Sequence, residues 1–124
     1  HNKEKIKKGL RGFMANIYKN ANYDLGVTTV VDVYTCPNNS RAIIKKIHCT
    51  NYGAGNHWIK VYLYDSSNTT QYQISENVIN SGNSQGIADG TLILEENDVL
   101  RLQAQDLDHF SGTIAILETS REDR

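Results

Sequence analysis

About seven or eight short runs of β-forming residues follow one another along this chain at close, even spacing, with Asn, Gly and Ser in the gaps. The clearest run is 58–65. Ile59, Val61 and Leu63 fall on one side of it and Trp58, Lys60, Tyr62 and Tyr64 on the other, a period of two that no helical stripe produces. In 71–79 the same alternation sets Tyr72, Ile74 and Val78 against Gln71, Gln73, Ser75 and Asn77, the pattern of an antiparallel strand wetted on one face. In 41–50, Ile43, Ile47 and Cys49 alternate around Lys45 while Ile44 lies opposite. This strand is expected to be covered on both sides near its start and to send Lys45 and Lys46 to opposite faces. In 99–105, Leu100, Leu102 and Ala104 are expected to face inward. In 112–118, Ile114 and Ile116 oppose Ala115 and Leu117, and a strand apolar on both faces belongs at the centre of a sheet. Runs at 17–25, 27–36 and 91–94 complete a set of eight.

The gaps carry turn chemistry. Pro37, Asn38, Asn39 and Ser40 form a strong turn signal, and 66–69 and 95–98 are rich in Ser, Asn and acidic residues. Residues 51–56 and 105–111 read as loops. The longest loop candidate is 80–90, and long loops in small domains often carry function. Eight strands with these turns predict an all-β fold: a two-sheet antiparallel β-sandwich, jelly-roll-like, with little helix.

A chain of 124 residues makes one domain and buries roughly two-thirds of its unfolded surface, enough for a core without staples. The formal net charge of −1 argues against nucleic acid as a partner, and no apolar run approaches the roughly 18–20 residues of a membrane span. The charge is unevenly placed. Residues 1–13 hold Lys3, Lys5, Lys7, Lys8 and Arg11 against Glu4, whereas 14–124 hold eight basic and thirteen acidic residues. The chain divides accordingly into a basic N-terminal arm (1–13), a sandwich domain (14–121) and a tail (122–124). In the arm, Ile6, Leu10 and Phe13 recur at helical spacing, but Gly9 and Gly12 weaken a helix, so the segment is expected to order only against another surface. Met14 is the sole methionine and looks like a start site; the arm is then an upstream extension, a remnant of expression or an assembly device.

Chemistry-bearing residues are few. Cys36 and Cys49 allow one bridge at most and read as small buried hydrophobes. His48, Cys49 and His57 match no zinc spacing, and no metal or cofactor is expected. Asp106, Asp108 and His109 cluster in one loop, where a carboxylate beside an imidazole could orient a general base, but a solvated turn explains them as well. There is no Gly-x-Ser-x-Gly elbow and no phosphate-binding glycine loop leading into a helix, so a jelly-roll enzyme is the weakest of the functional readings. Trp58, Tyr62 and Tyr64 share one strand face. They suit core packing between sheets, a subunit interface, or a platform for sugar rings.

Four stretches carry a family likeness. Residues 14–20 (MANIYKN), 34–44 (YTCPNNSRAII), 92–104 (LILEENDVLRLQA) and 116–121 (ILETSR) together resemble small structural proteins encoded by tailed bacteriophages, particularly marine ones. The matching motifs are strands and turns and transfer no catalytic activity. The resemblance implies a virion structural protein of the capsid-decorating, head–tail or tail-accessory type, located in the particle. It implies self-association, three copies by analogy with decoration proteins, and contacts with capsid or tail proteins. A glycan- or receptor-binding sandwich module is the alternative.

Overall fold

The computed structural model describes residues 14–88 and 90–121. It contains nine strands: β1 (Met14–Leu25), β2 (Val31–Thr35), β3 (Ser40–Asn51), β4 (His57–Asp65), β5 (Thr70–Ile79), β6 (Ser84–Gly86), β7 (Leu92–Leu94), β8 (Val99–Ala104) and β9 (Phe110–Arg121). No helix occurs among the described residues. One sheet runs β1-β9-β3, with β6 and β7 both on the far edge of β3; the other runs β2-β8-β4-β5. All pairings are antiparallel. β7 meets residues 42–44 of β3 and β6 meets residues 48–50, so these short strands occupy one strand position, broken around Ile87. Counted that way, eight positions cross between the sheets in the order of a jelly roll, as expected from the sequence. β9 is central, between β1 and β3, as its two apolar faces predict.

The core lies between the sheets. Ile44, Ile47, Leu94, Phe110, Ile114 and Ile116 project from the five-stranded sheet onto Ile59, Val61, Leu100 and Leu102 of the other, and all are buried. Gly112 lets the two layers of side chains close. A Cβ there would lie 1.8 Å from the His48 carbonyl oxygen, in the space crossed by Tyr23 as its hydroxyl donates to that same oxygen over 2.7 Å. At the opposite end, Glu118 is buried on β9 and accepts hydrogen bonds from the Tyr34 hydroxyl of β2 and, over 3.3 Å, from the Lys19 ammonium of β1. A carboxylate removed from water needs such partners, and this one ties the sheets together.

Several expectations are corrected. The second strand is half the expected length, because 26–30 carries the chain from one sheet to the other; Val27 and Val30 are exposed and Asp108 N–H bonds to the Leu25 carbonyl. A bulge between Ile44 and Lys46 inserts one residue into β3. Ile44 and Ile47 therefore both point inward and Ile43 outward, and Lys45 and Lys46 are both exposed rather than opposed. On β5 the inward alternation runs through Ser75, Asn77 and the fully buried Ile79, not through Ile74 and Val78. Ser75 Oγ and Asn77 Nδ2 both donate to the Ile87 carbonyl, satisfying the backbone where the β6–β7 position breaks, while Val78 is 59% exposed. The long loop 80–90 is partly strand, and Ile87 is buried with its N–H bonded to the Ile47 carbonyl.

The turns behave as their residues predict. Asn39 and Asn97 take positive φ (57° and 69°), which Asn tolerates. Thr69 does so too (47°), which a β-branched side chain resists. Cys36 and Cys49 are free and buried. Burial, reinforced by the Glu118 carboxylate, pushes the Cys36 thiol up to about 11. Burial likewise pushes the Cys49 thiol up to about 11, against the opposing effect of a hydrogen bond from Tyr23. Both are inert thiols at neutral pH.

Candidate assembly surface

Strand register joins residues that are far apart in sequence into one row. Tyr18 of β1 stands opposite Leu117 of β9, Leu117 opposite Ile43 of β3, and Ile43 opposite Ile93 of β7. Their chain neighbours Ala42, Ile44, Leu94 and Ile116 are buried, so alternation turns the row onto the outer face of the five-stranded sheet. Tyr18 is 77% exposed and Ile93 63%, with Leu117 and Ile43 half-buried between them. Four strands at the usual spacing make a strip about 14 Å long. Exposed apolar residues scattered singly are ordinary; a contiguous strip is not.

The β3 bulge shapes the ground beside the row. Residues Tyr18, Lys19, Asn20, Lys45, Ala115 and Ile116 surround a shallow recess of about 210 Å³. Lys19 and Lys45 border it with positive charge. Among the described residues β1 pairs with β9 alone, so the row runs out to a sheet edge with unpaired backbone groups.

The outer face of the four-stranded sheet is built differently. Trp58, Tyr62 and Tyr64 do share it, and all three are half-buried. They do not pack between the sheets; Ile59 and Val61 fill that role. Lys60 Nζ sits 4.5 Å from the Trp58 ring centroid and Arg101 Cζ 4.4 Å from that of Tyr64. Arg101 is held there by Asp32 at 2.7 Å and Gln71 at 3.0 Å, and Tyr62 donates its hydroxyl proton to Gln103 over 2.7 Å. Cations of the chain itself thus lie over two of the three rings, which leaves less open ring face than stacking on a sugar requires. Ile6, Leu10 and Phe13 lie outside the described residues.

The histidines separate. His48 lies on β3, with its carbonyl engaged by Tyr23. His57, Asp106 and His109 meet at the loop end of the sandwich, a grouping invisible in sequence because it draws on two separate segments. Asp108, the second acid of that neighbourhood, serves the backbone instead: it takes a positive φ of 58° and caps Leu25 through its N–H.

The residues of the apolar row were not singled out by periodicity. Their one sequence signal was a doubled apolar pattern, Ile43 beside Ile44, Ile116 beside Leu117, and 92–94 apolar throughout. Only register reveals that they align.

No family model and no curated protein matches this chain. Solved structures do. The capsid of Helicobacter pylori bacteriophage KHP30, in an acid-stable form, aligns with a TM-score of 0.55 at 10% identity over 86% of this chain and 93% of that one. A Bacillus endospore appendage, one of a family of disulfide-linked pili, aligns with a TM-score of 0.53 at 11% identity over 87% and 88%. The T13 IBDV viral particle aligns with a TM-score of 0.51 at 7% identity over 90% of this chain but 32% of that chain. At these identities the likeness is one of fold, and it is a likeness over nearly the whole sandwich.

Proposed function

We propose that this chain is a non-enzymatic structural subunit of a virion that assembles with copies of itself through the outer face of its five-stranded sheet. The observation that carries this reading is the exposed row Tyr18–Leu117–Ile43–Ile93, running from the β7 side of the sheet to the open edge of β1. The recess next to the row offers a seat for a side chain of the neighbouring copy, and the free edge allows the sheet to continue into it. The fold likeness to a phage capsid and the resemblance of most of 14–121 to tailed-phage structural proteins support the setting.

Within the particle, the role proposed is decoration of the capsid or an accessory position at the head–tail joint or tail. Three copies around one axis is the count carried over from decoration proteins. The basic arm would reach a neighbouring subunit with Ile6, Leu10 and Phe13, and its charge suits the acidic body that follows it. Contacts would be with protein, not with nucleic acid or membrane. Mass spectrometry of gradient-purified particles is the test: the reading expects this chain at many copies per particle, and its absence from purified particles would overturn it.

A further inference from the structure

At the end of the sandwich where 52–56 and 105–109 meet, His57 Nε2 lies 3.6 Å from Asp106 Oδ2, and the His57 and His109 ring centroids are 4.4 Å apart. The ligating atoms of His57, Asp106 and His109 all fall within 4.8 Å of one another. The fold has made room for this grouping. Asn51 is fully buried and satisfied, its amide donating to the Gly55 and Ile79 carbonyls over 2.9 and 2.8 Å and its oxygen accepting from Gly53 N–H over 3.0 Å. The loop so held presents Gly53 to His109, where any Cβ would come within 2.1 Å of the ring.

Two features of the rings point to a ligand. The His57 ring makes no hydrogen bond among the described residues: Nδ1 is buried without a partner, and Nε2 stands 3.6 Å from Asp106 Oδ2, beyond hydrogen-bond reach and open to an ion. His109 faces a carbonyl oxygen at both nitrogens, Leu107 at 2.7 Å from Nδ1 and Ala54 at 3.0 Å from Nε2. A neutral imidazole has one N–H and can serve only one of them. A metal-bound imidazole keeps one such bond to orient its ring and gives the other nitrogen to the ion.

We propose that His57, Asp106 and His109 form a zinc-binding site that clamps the 52–57 segment to the 105–109 loop, with a position left for water. Two imidazoles and one carboxylate suit Zn²⁺ or a similar borderline cation; they offer too few oxygens for Ca²⁺ or Mg²⁺. Ligands at about 2.0–2.1 Å from zinc sit about 3.3–3.5 Å apart in a tetrahedron. The His57–Asp106 pair is nearly there, and His109 joins by exchanging one carbonyl bond for the ion. The site is separate from the sheet face proposed for assembly, and it stands or falls without it.

Isothermal titration of ZnCl₂ into chelator-stripped protein is the test, with thermal unfolding in parallel. One ion should bind per chain, with a Tm that rises with zinc. His57→Ala and His109→Ala should each weaken binding more than 10-fold, Asp106→Asn about 10-fold, and His48→Ala not at all; MgCl₂ and CaCl₂ should give no heat. If His109→Ala does not fold, His57→Gln carries the test, because the His57 side chain, unlike that of His109, bonds to no backbone carbonyl. A titration without heat up to millimolar zinc, or binding undiminished in the His57 variants, overturns the proposal.

Discussion

The outer faces of the two sheets both carry apolar and aromatic side chains and dispose of them in opposite ways. On the four-stranded sheet, Lys60 lies over Trp58, Arg101 lies over Tyr64, and Gln103 takes the Tyr62 hydroxyl. On the five-stranded sheet, no cation among the described residues lies over the Tyr18 ring. Tyr18 and Ile93 stand exposed at the two ends of the row, and the exposed Arg41 and Lys45 flank Ile43 along β3. Aromatic content alone is therefore a poor guide to an interface. What distinguishes a surface awaiting a partner is apolar area that the chain has not already covered with its own side chains.

The largest expected effect breaks this contrast directly. Placing charge at both ends of the row, with Tyr18→Asp and Ile93→Asp together, should weaken self-association roughly 100-fold or more, since exposed rim substitutions cost little but anchors in a desolvated strip cost several kcal/mol. The mirror experiment, Trp58→Ala with Tyr64→Ala, should leave association within a few-fold of the parent chain. Sedimentation velocity over a concentration series reads both.

Next in size is a control on the layer that both faces share. Glu118→Ala leaves the Tyr34 hydroxyl and Lys19 without their acceptor and should cost about 2–3 kcal/mol of stability, measured by urea unfolding. Loss of association in that variant would then reflect loss of the sheet itself. Arg101→Ala should cost about 1 kcal/mol and uncover the Tyr64 ring. If the contrast between the faces is drawn correctly, this variant also binds hydrophobic dyes more strongly than the parent chain.

Smaller effects follow from the interior and the turns. Both thiols ionise near 9.0 when unperturbed but only near about 11 in the fold. A group whose folded value is raised holds its proton longer when folded, so its contribution is complete below about pH 9 and lost as pH climbs toward 11. Urea midpoints should accordingly be flat from pH 7 to 8.5 and decline above pH 9, with a shallower decline in Cys49→Ala relative to its own value at pH 7. Thr69→Gly should raise stability by about 0.5–1 kcal/mol, because glycine accepts the positive φ that the threonine resists.

Much of the fold was legible in the sequence for a simple reason. Antiparallel strands with one wet face print their geometry as alternation, and Ile59, Val61, Leu100, Leu102, Ile114 and Ile116 all point where alternation says. Alternation fails at bulges, because one inserted residue reverses the phase of everything beyond it. The insertion after Ile44 turned Ile43 outward and exposed both lysines, and another on the β5 side of the Val61–Tyr62 step left Ile74 out of register. It also fails where a polar residue has work inside, as Ser75 and Asn77 do at the broken strand position.

The two candidate sites were less legible, and for different reasons. The apolar row required register between four strands, which no single-strand pattern contains. The grouping of His57 with Asp106 and His109 required knowing that the 52–56 and 105–109 loops share one end of the sandwich, which follows only from the jelly-roll connectivity. The aromatic face was seen at once, but whether it was free to bind depended on where Lys60 and Arg101 came to rest.

Native mass spectrometry of the purified chain, with and without Tyr18→Asp and Ile93→Asp, decides whether the exposed row is an interface. One closed homo-oligomer at micromolar concentration is expected for the parent chain and a folded monomer of unchanged Tm for the double variant. A parent chain that stays monomeric at high concentration, or an oligomer indifferent to both substitutions, would contradict that role for the row.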